Sequence, residues 1–284
     1  MIPFGLVESE HLPTKRSVYQ DVQTFEYDGV SRLTSASGTG TTGIPAYDYD
    51  YTYGPGGNLG TRINRTPNPD LTRTYTYGTV ANHHNHAVVS ISGDGLTGTF
   101  VYDEGLAGNG NMTSRTVNNV IYTQVFDAEN RLVKVTKELG VNDLIAEFCY
   151  DADGNRILTI YKSGPTESSR VYTPFPEFEK IVPASGATTE RSSYTIGGQL
   201  IAVRVRVGTS GDGTLRYAYG DHLGSVSAWS DSAGVYLPNS TALFEPYGGF
   251  RIQPLATVNP GVSDRGFTGH RMNNTCLLYT SRCV

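Results

Sequence analysis

An aromatic strand-and-turn pattern that recurs about every 24 residues constrains the fold of this chain more than any other feature. Its clearest copy is FCYDADGNRILTIY, residues 148–161, in which Phe148 and Tyr150 alternate with Cys149 as in a half-buried strand. Residues 151–155 then supply a turn, where the Asp151 carboxylate can accept backbone hydrogen bonds and Gly154 can adopt positive φ. The copy therefore predicts a β-hairpin.

Ten aromatic residues mark successive copies of this hairpin along the chain. A single hairpin is marginal in water and cannot bury its own aromatic face, so each copy must pair with the next. We therefore predict an all-β fold, in which the hairpins form one long, strongly twisted antiparallel sheet that curls into a wall around an interior. The first six markers are separated by 26, 24, 25, 24 and 24 residues, and the looser ones by 22, 22, 25 and 28: Tyr27, Tyr53, Tyr77, Tyr102, Phe126, Tyr150, Tyr172, Tyr194, Tyr219 and Tyr247.

Composition and charge exclude several classes of protein. The chain has 33 Gly and 19 Tyr among 284 residues, and no window shows an apolar stripe at helical spacing, so we expect almost no helix. A net charge of -5 with scattered Lys and Arg argues against a nucleic-acid partner. No apolar run approaches the roughly 18 residues of a membrane span, and the start, MIPFGLVESEHLPTKR, lacks the pattern of a secretory signal.

The three cysteines, Cys149, Cys276 and Cys283, form neither a disulfide framework nor a metal-binding pair. Cys149 alternates with two aromatic residues, which favours a small buried side chain over a nucleophile.

A possible hydrolase site lies in GDHLGSV, which contains Asp221, His222 and Ser225. A turn is the favoured interpretation: Asp221 would cap backbone amides and His222 would pack on a neighbouring strand. No nucleophile elbow of the GxSxG type supports the catalytic alternative.

Two further groups of residues suggest metal sites. His83, His84 and His86 are close in sequence, but no second ligand set lies at a suitable spacing, so an exposed polar loop is favoured. Asp151, Asp153 and Asn155 resemble the start of a calcium loop, yet a turn is favoured there as well. The positions at which that loop requires Gly and Glu hold Arg156 and Lys162.

Glu245-Pro246 is also interpreted as a turn, with Pro fixing φ and Gly248 relieving the bend. We therefore predict no catalytic, cofactor-binding or metal-binding residues and no cofactor.

The recurring Tyr-Asp pairs resemble those of Rhs/YD-repeat proteins. Toward the C-terminus the ordered blocks GGQLIAV, DHLGSV, EPYG and FTGH are similar to the repeat-associated core of that family, and the resemblance covers roughly residues 20–274. It divides the chain into a lead-in (1–20), YD repeats (21–165), an incomplete core (166–274) and a tail (275–284) that we expect to be non-native.

The resemblance implies a non-enzymatic section of a β shell. In this family the shell encloses a toxic C-terminal segment of the same polypeptide, and its members act in bacterial competition or in insecticidal toxin complexes. The implied partners are therefore that cargo and a secretion-system or toxin-complex carrier, and the implied location of the parent protein is secreted or cell-surface. Many members end their core with an Asp-Pro-x-x-Gly segment that cleaves itself, whereas this chain ends in TCLLYTSRCV.

Two alternatives remain open at this stage: a self-cleaving aspartyl protease core in the full-length parent, and a repeat protein that binds carbohydrate or cell surfaces through its aromatic residues. We also expect that an incomplete curl would expose strand edges and an aromatic interior, and that the isolated chain would therefore self-associate.

Overall fold

The computed structural model describes residues 21–78, 85–103 and 108–271. Within these residues, eighteen strands form an antiparallel sheet, and two short strands form a separate pair. The helical structure of the same residues is one 3-10 turn at Phe267–Gly269. No helix of this part of the chain is long and apolar enough to cross a membrane. The predicted all-β fold is confirmed.

The chain divides into two compact units, Met1–Ile121 and Tyr122–Val284. In the first unit eight strands pair in chain order, each antiparallel to the next. These strands are β1 (Gln23–Tyr27), β2 (Leu33–Gly38), β3 (Tyr47–Tyr53), β4 (Leu59–Asn64), β5 (Leu71–Tyr77), β6 (Val88–Ser92), β7 (Gly98–Tyr102) and β8 (Met112–Val117).

In the second unit the strands from β9 to β18 also pair in chain order, and β19 pairs with β20. They are β9 (Val120–Phe126), β10 (Leu132–Lys137), β11 (Leu144–Tyr150), β12 (Arg156–Ser163), β13 (Thr166–Phe175), β14 (Phe178–Pro183), β15 (Thr189–Ile196), β16 (Gln199–Val207), β17 (Thr214–Gly220), β18 (Val226–Ser230), β19 (Leu243–Phe244) and β20 (Phe250–Ile252).

The repeat markers occupy a fixed place in this arrangement. The first six are the last residues of the odd-numbered strands from β1 to β11, so each repeat is one hairpin. Tyr172, Tyr194 and Tyr219 lie inside β13, β15 and β17, and Tyr247 lies in a turn outside the strands. A shift of register adjoins the marker in β1, β3, β5, β7 and β11, as expected for a β-bulge that increases the local twist.

Five turns are built around an aspartate in the same way, as the sequence predicts for Asp151. In each, the carboxylate Oδ1 accepts hydrogen bonds of 2.8–3.0 Å from the backbone amides two and four residues later. The residue three positions after the aspartate has a left-handed φ of 62–83°, and Gly154 is one of these residues. The five aspartates are Asp28, Asp127, Asp151, Asp221 and Asp231.

The repeat tyrosines join each hairpin to the one before it. The Tyr150 hydroxyl donates a 2.7 Å hydrogen bond to the carbonyl of Leu132, the first residue of β10. Tyr53, Tyr77 and Tyr102 donate equivalent bonds of 2.7–3.0 Å to the carbonyls of the first residues of β2, β4 and β6. Since the acceptor is always main chain, the contact requires the tyrosine but no particular partner side chain.

An arginine completes the contact in two repeats, one in each unit. Arg32 forms an ion pair with Asp28 at 2.6 Å, and its guanidinium lies 4.7 Å from the centroid of the Tyr53 ring. Arg131 pairs with Asp127 at 2.8 Å and lies 5.2 Å from the Tyr150 ring centroid. The same side chain therefore holds its own turn and stacks on the tyrosine of the next repeat.

The tyrosines of β3 in the first unit are buried, so the expectation of an exposed aromatic interior is wrong for this strand. Tyr47, Tyr49 and Tyr51 of β3 are 4–6% exposed and pack with Ala36 and Leu59. Centroids of successive rings lie 5.4 and 6.4 Å apart. In the second unit Val135, Ala146 and Phe148 form the corresponding core beneath β10 and β11. The rings of Tyr47, Tyr49, Tyr51 and Phe148 are thus covered by neighbouring side chains of their own unit.

We predict that Tyr150→Phe lowers the free energy of unfolding by about 1 kcal/mol, because it removes the hydroxyl donor and leaves the Leu132 carbonyl without that bond. Urea denaturation followed by circular dichroism measures the difference. Tyr27→Phe is the matched control, since Tyr27 ends β1 at the same repeat position but is 60% exposed. Equal losses in the two variants would show that the hydroxyl bond to the preceding hairpin does not stabilise the sheet.

We also predict that stability falls in acid. Backbone amide bonds, above all from Arg32 and Arg131, lower the pKa of Asp28 and Asp127, and the Asn155 side chain does the same for Asp151. Because the folded pKa lies below the unfolded value, this stabilisation is complete above the ordinary aspartate pKa of about 3.9 and is lost as pH falls toward the folded value. Urea denaturation between pH 5 and pH 2.5 should show the decline, with a shallower slope in Asp127→Asn. An unchanged slope would contradict this assignment.

Candidate functional site

Asp221, His222 and Ser225 form the turn that the sequence favours. Asp221 Oδ1 accepts hydrogen bonds from the amides of Leu223 and Ser225 at 2.9 and 2.8 Å. The Ser225 side chain is fully buried, and its hydroxyl accepts a 3.0 Å bond from the Thr268 amide. His222 is exposed and does not pack on a neighbouring strand as expected, because it occupies the tip of the turn.

The metal-site candidates are also placed in turns or outside the described residues. His83 and His84 lie outside them, and His86 Nδ1 lies 2.6 Å from Asn58 Oδ1. Asp151 Oδ2 accepts a 3.1 Å bond from the Asn155 amide group, so these side chains close the turn on themselves. Among the described residues, no three His, Cys, Asp or Glu side chains are placed to hold a metal ion.

The prediction for Cys149 is wrong, whereas the turn predicted at Glu245 is confirmed. Cys149 is exposed, which corrects the prediction of a buried side chain: strand alternation places Phe148 on the buried face and Cys149 on the other face. Glu245 forms the predicted turn, in which its amide donates to the Gly249 carbonyl at 2.6 Å and its carbonyl accepts from the Gly248 amide at 2.9 Å. Gly248 has a φ of 82°.

Strands β14–β18 have two chemically different faces, which the pairing registers define. The covered face carries Glu179, Arg191, Val203 and Trp229, and residues 236–271, here called the cover segment, pack against it. Val258 and Val262 of the cover segment join Val203 and Trp229 in one buried cluster. The open face carries the alternate residues of the same strands, such as Tyr194 and Tyr217.

The cover segment also closes the free edge of β18. The amides of Leu237 and Ala242 donate to the carbonyls of Trp229 and Ser227, both at 2.8 Å. The Trp229 amide donates to the Ser240 hydroxyl at 3.0 Å. These bonds satisfy backbone groups that would otherwise be available to another strand.

A buried ion network fastens the cover segment to the sheet. Glu179 of β14 lies opposite Arg191 of β15, and their side chains are 8% and 9% exposed. One Glu179 oxygen is 2.9 Å from Arg191, and the other is 2.7 Å from Arg271. Arg191 also donates to the carbonyl of Pro260, and Arg271 pairs with Asp264 at 3.1 Å. Glu179 is therefore the shared acceptor of two arginines.

The charges of this network set the pKa of its arginines in opposite directions. Burial alone would lower the pKa of Arg271, but the carboxylates of Asp264 and Glu179 outweigh it and raise that pKa. The pKa of neighbouring Arg265 is lowered by burial and by the positive charge of Arg271.

Sequence reasoning missed this network, because nothing in EFEKIV or TERSSY distinguishes an inward charge from an outward one. The alternation of side chains along the strands was the available signal for an inward charge, since Glu179 and Arg191 occupy the same face as apolar Val203 and Val205. One cleft of the described residues, about 380 Å³, has no charged residue in its lining, which consists of Tyr236, Pro238, Asn239, Thr241, Ile252, Gln253 and Leu255.

We predict that Glu179→Gln destabilises the fold by about 3 kcal/mol, because it leaves two partly or fully buried arginines without their shared charge. Glu190→Gln is the matched control: Glu190 is on the neighbouring strand and pairs with Arg206 on the open face, so its loss should be much smaller. Urea denaturation at pH 7 measures both. Similar losses in the two variants would mean that burial does not strengthen the Glu179 contacts.

No protein-family model matches the sequence, and no curated protein matches it significantly. Solved toxin-complex structures match at low similarity. The structure of TcdB2–TccC3–Cdc42 is 17% identical, with a TM-score of 0.43, over 88% of this chain and 16% of that one. The Tc holotoxin pore of Photorhabdus luminescens is 17% identical, with a TM-score of 0.43, over 88% and 15%. This chain therefore spans about a sixth of the length of the proteins it matches.

Proposed function

We propose that this chain is a non-enzymatic section of a β shell that encloses a polypeptide cargo belonging to the same parent protein. The observation that carries the proposal is the repeat contact itself. The hydroxyls of Tyr53, Tyr77, Tyr102 and Tyr150 each bind the main chain of the preceding hairpin, so further hairpins that carry such a tyrosine can be added through the same contact. A repetitive sheet extended in this way is better suited to a structural wall than to an active site.

The state of the candidate catalytic groups supports a structural role. Ser225 is fully buried and bonded to the main chain, and Asp221 has its Oδ1 oxygen committed to two amides. Asp28, Asp127, Asp151 and Asp231 serve turns in the same way. The carboxylates of these five aspartates are thus occupied by holding the backbone.

In the proposed shell, the cover segment forms a second layer over strands β14–β18 of the wall. It closes the edge of β18 and brings Arg271 to Glu179 on the covered face. Arg271, the last described residue, therefore lies on that face. In the proposed shell, a cargo that follows would enter the enclosed side.

Limited proteolysis of the natural polypeptide that contains this sequence tests the proposal. Proteinase K should cut exposed loops such as residues 208–213 early, while the segment after residue 271 survives as long as the strands do. Time-resolved mass spectrometry identifies the fragments. The same segment expressed alone is the control and should be digested quickly.

Glu179→Gln in that polypeptide provides a second arm, because a loosened cover segment should shorten the survival of the following segment. The encapsulation proposal fails if the following segment of the unaltered protein is digested as fast as its loops.

A further inference from the structure

An uncharged aromatic row crosses the open face of the second unit. Tyr194 of β15, Ala202 of β16 and Tyr217 of β17 are direct cross-strand partners, so their side chains lie side by side on the same face. Ser230 of β18 continues the row beyond Tyr217. Tyr194 and Tyr217 are 46% and 37% exposed, whereas Ala202 between them is 4% exposed. The row is therefore two accessible rings separated by a small side chain.

Two phenylalanines extend the aromatic surface at the β13–β14 turn. Phe178 lies opposite Ser192, two residues before Tyr194 on β15. Its ring centroid is 5.6 Å from that of Phe175, which is 54% exposed. An exposed aromatic strip of this kind is unusual on a sheet face that otherwise carries ion pairs such as Glu190 with Arg206.

The spacing of the row is fixed by the sheet. Neighbouring strands lie about 4.8 Å apart, so residues two strands apart in one row are separated by about 9.6 Å. That distance is close to the length of one disaccharide unit in an extended β-1,4-linked glycan. In such a ribbon every second sugar presents the same face, so alternate sugars can stack on the two tyrosines.

Hydrogen-bonding groups border the rings. The Arg204 side chain, on the same face two residues from Ala202, donates to the Tyr194 hydroxyl at 3.4 Å and to the Asp212 carbonyl at 3.1 Å. At the other end of the row the Tyr219 hydroxyl borders the rings and lies 3.2 Å from the hydroxyl of Ser230, which is itself buried. Flat rings bordered by hydroxyl groups and a guanidinium match the C–H faces and hydroxyl edges of a sugar.

We propose that the aromatic row Tyr194–Ala202–Tyr217 is a binding platform for a neutral, β-1,4-linked glycan. The row positions Tyr194, Ala202, Tyr217 and Ser230 carry no charge, and the bordering Arg204 guanidinium already donates to the Tyr194 hydroxyl and the Asp212 carbonyl, which favours a neutral chain over a sulfated or acidic one. The platform lies on the face opposite the cover segment, so it can act whether or not the other face encloses a cargo. The row then gives a shell section a means of attachment to a polysaccharide surface.

Isothermal titration calorimetry of the 284-residue chain with cellohexaose and with the hexamer of N-acetylglucosamine tests the platform. The unaltered protein should bind at least one of them. Tyr194→Ala and Tyr217→Ala should each weaken binding about tenfold, because each removes one stacking ring. Tyr194→Phe should bind within about twofold of the unaltered protein, because the ring remains.

Tyr172→Ala is the matched control. Tyr172 is on the same open face and, like Tyr217, 37% exposed, but it lies opposite Lys180 and outside the row. Its loss should leave affinity within about twofold. Thermal melts confirm that the variants are folded.

Failure of the unaltered protein to bind either hexasaccharide would overturn the proposal, as would an equal loss in Tyr172→Ala or a preference for a sulfated glycan or a proline-rich peptide. Each of these results would leave the encapsulation proposal standing, since that proposal is tested by proteolysis.

Discussion

The hydrogen bond from a repeat tyrosine to the main chain of the preceding hairpin is the contact on which the rest of the sheet depends. Ladder hydrogen bonds alone do not specify which strand lies next to which, because any two strands can form them. The Tyr150 hydroxyl, by contrast, reaches the Leu132 carbonyl only when β11 is paired with β10 in one register. The turn aspartate fixes the position at which each strand ends and so places the tyrosine for this contact. The turn and the tyrosine together therefore specify which hairpins lie next to each other.

The local part of this structure could be predicted from the sequence. A period near 24 residues gave the number and order of the described hairpins, and the position of Asp151 before Gly154 gave the turn. These features depend on residues within one hairpin, where backbone preferences decide the outcome. The later copies were harder to place: Tyr247 keeps the approximate spacing but lies outside the strands, because residues after β18 pack on the sheet instead of extending it.

The environment of each side chain on the sheet was less predictable, because it depends on which residues from elsewhere in the chain pack over each face. Cys149 was expected to be buried since its neighbours are aromatic, but alternation gives it the opposite face from Phe148. Glu179 and Glu190 occupy adjacent strands and both bind arginine, yet only Glu179 faces the cover segment. No local feature distinguishes these two glutamates, so the buried network becomes visible only when the tertiary packing is known.

A similar use of charge occurs in the first unit, where Arg62 and Arg73 lie directly opposite each other on β4 and β5. Both pair with Asp94, whose backbone carbonyl also accepts a 2.8 Å bond from Arg73. Burial, followed by the charge of Arg62, lowers the pKa of Arg73. The Asp94 carboxylate thus offsets part of the cost of burying two like charges side by side.

The two faces consequently have different capacities for binding. On the tyrosine face of the first unit, the hydroxyls of Tyr53, Tyr77 and Tyr102 bind main chain and Arg62 binds the Asp94 carboxylate, so these groups are already committed to contacts within the sheet. Tyr194 and Tyr217 differ because their rings point away from the buried clusters and stay accessible. The same alternation that exhausts one face in holding the sheet together therefore leaves the other face able to recognise a partner.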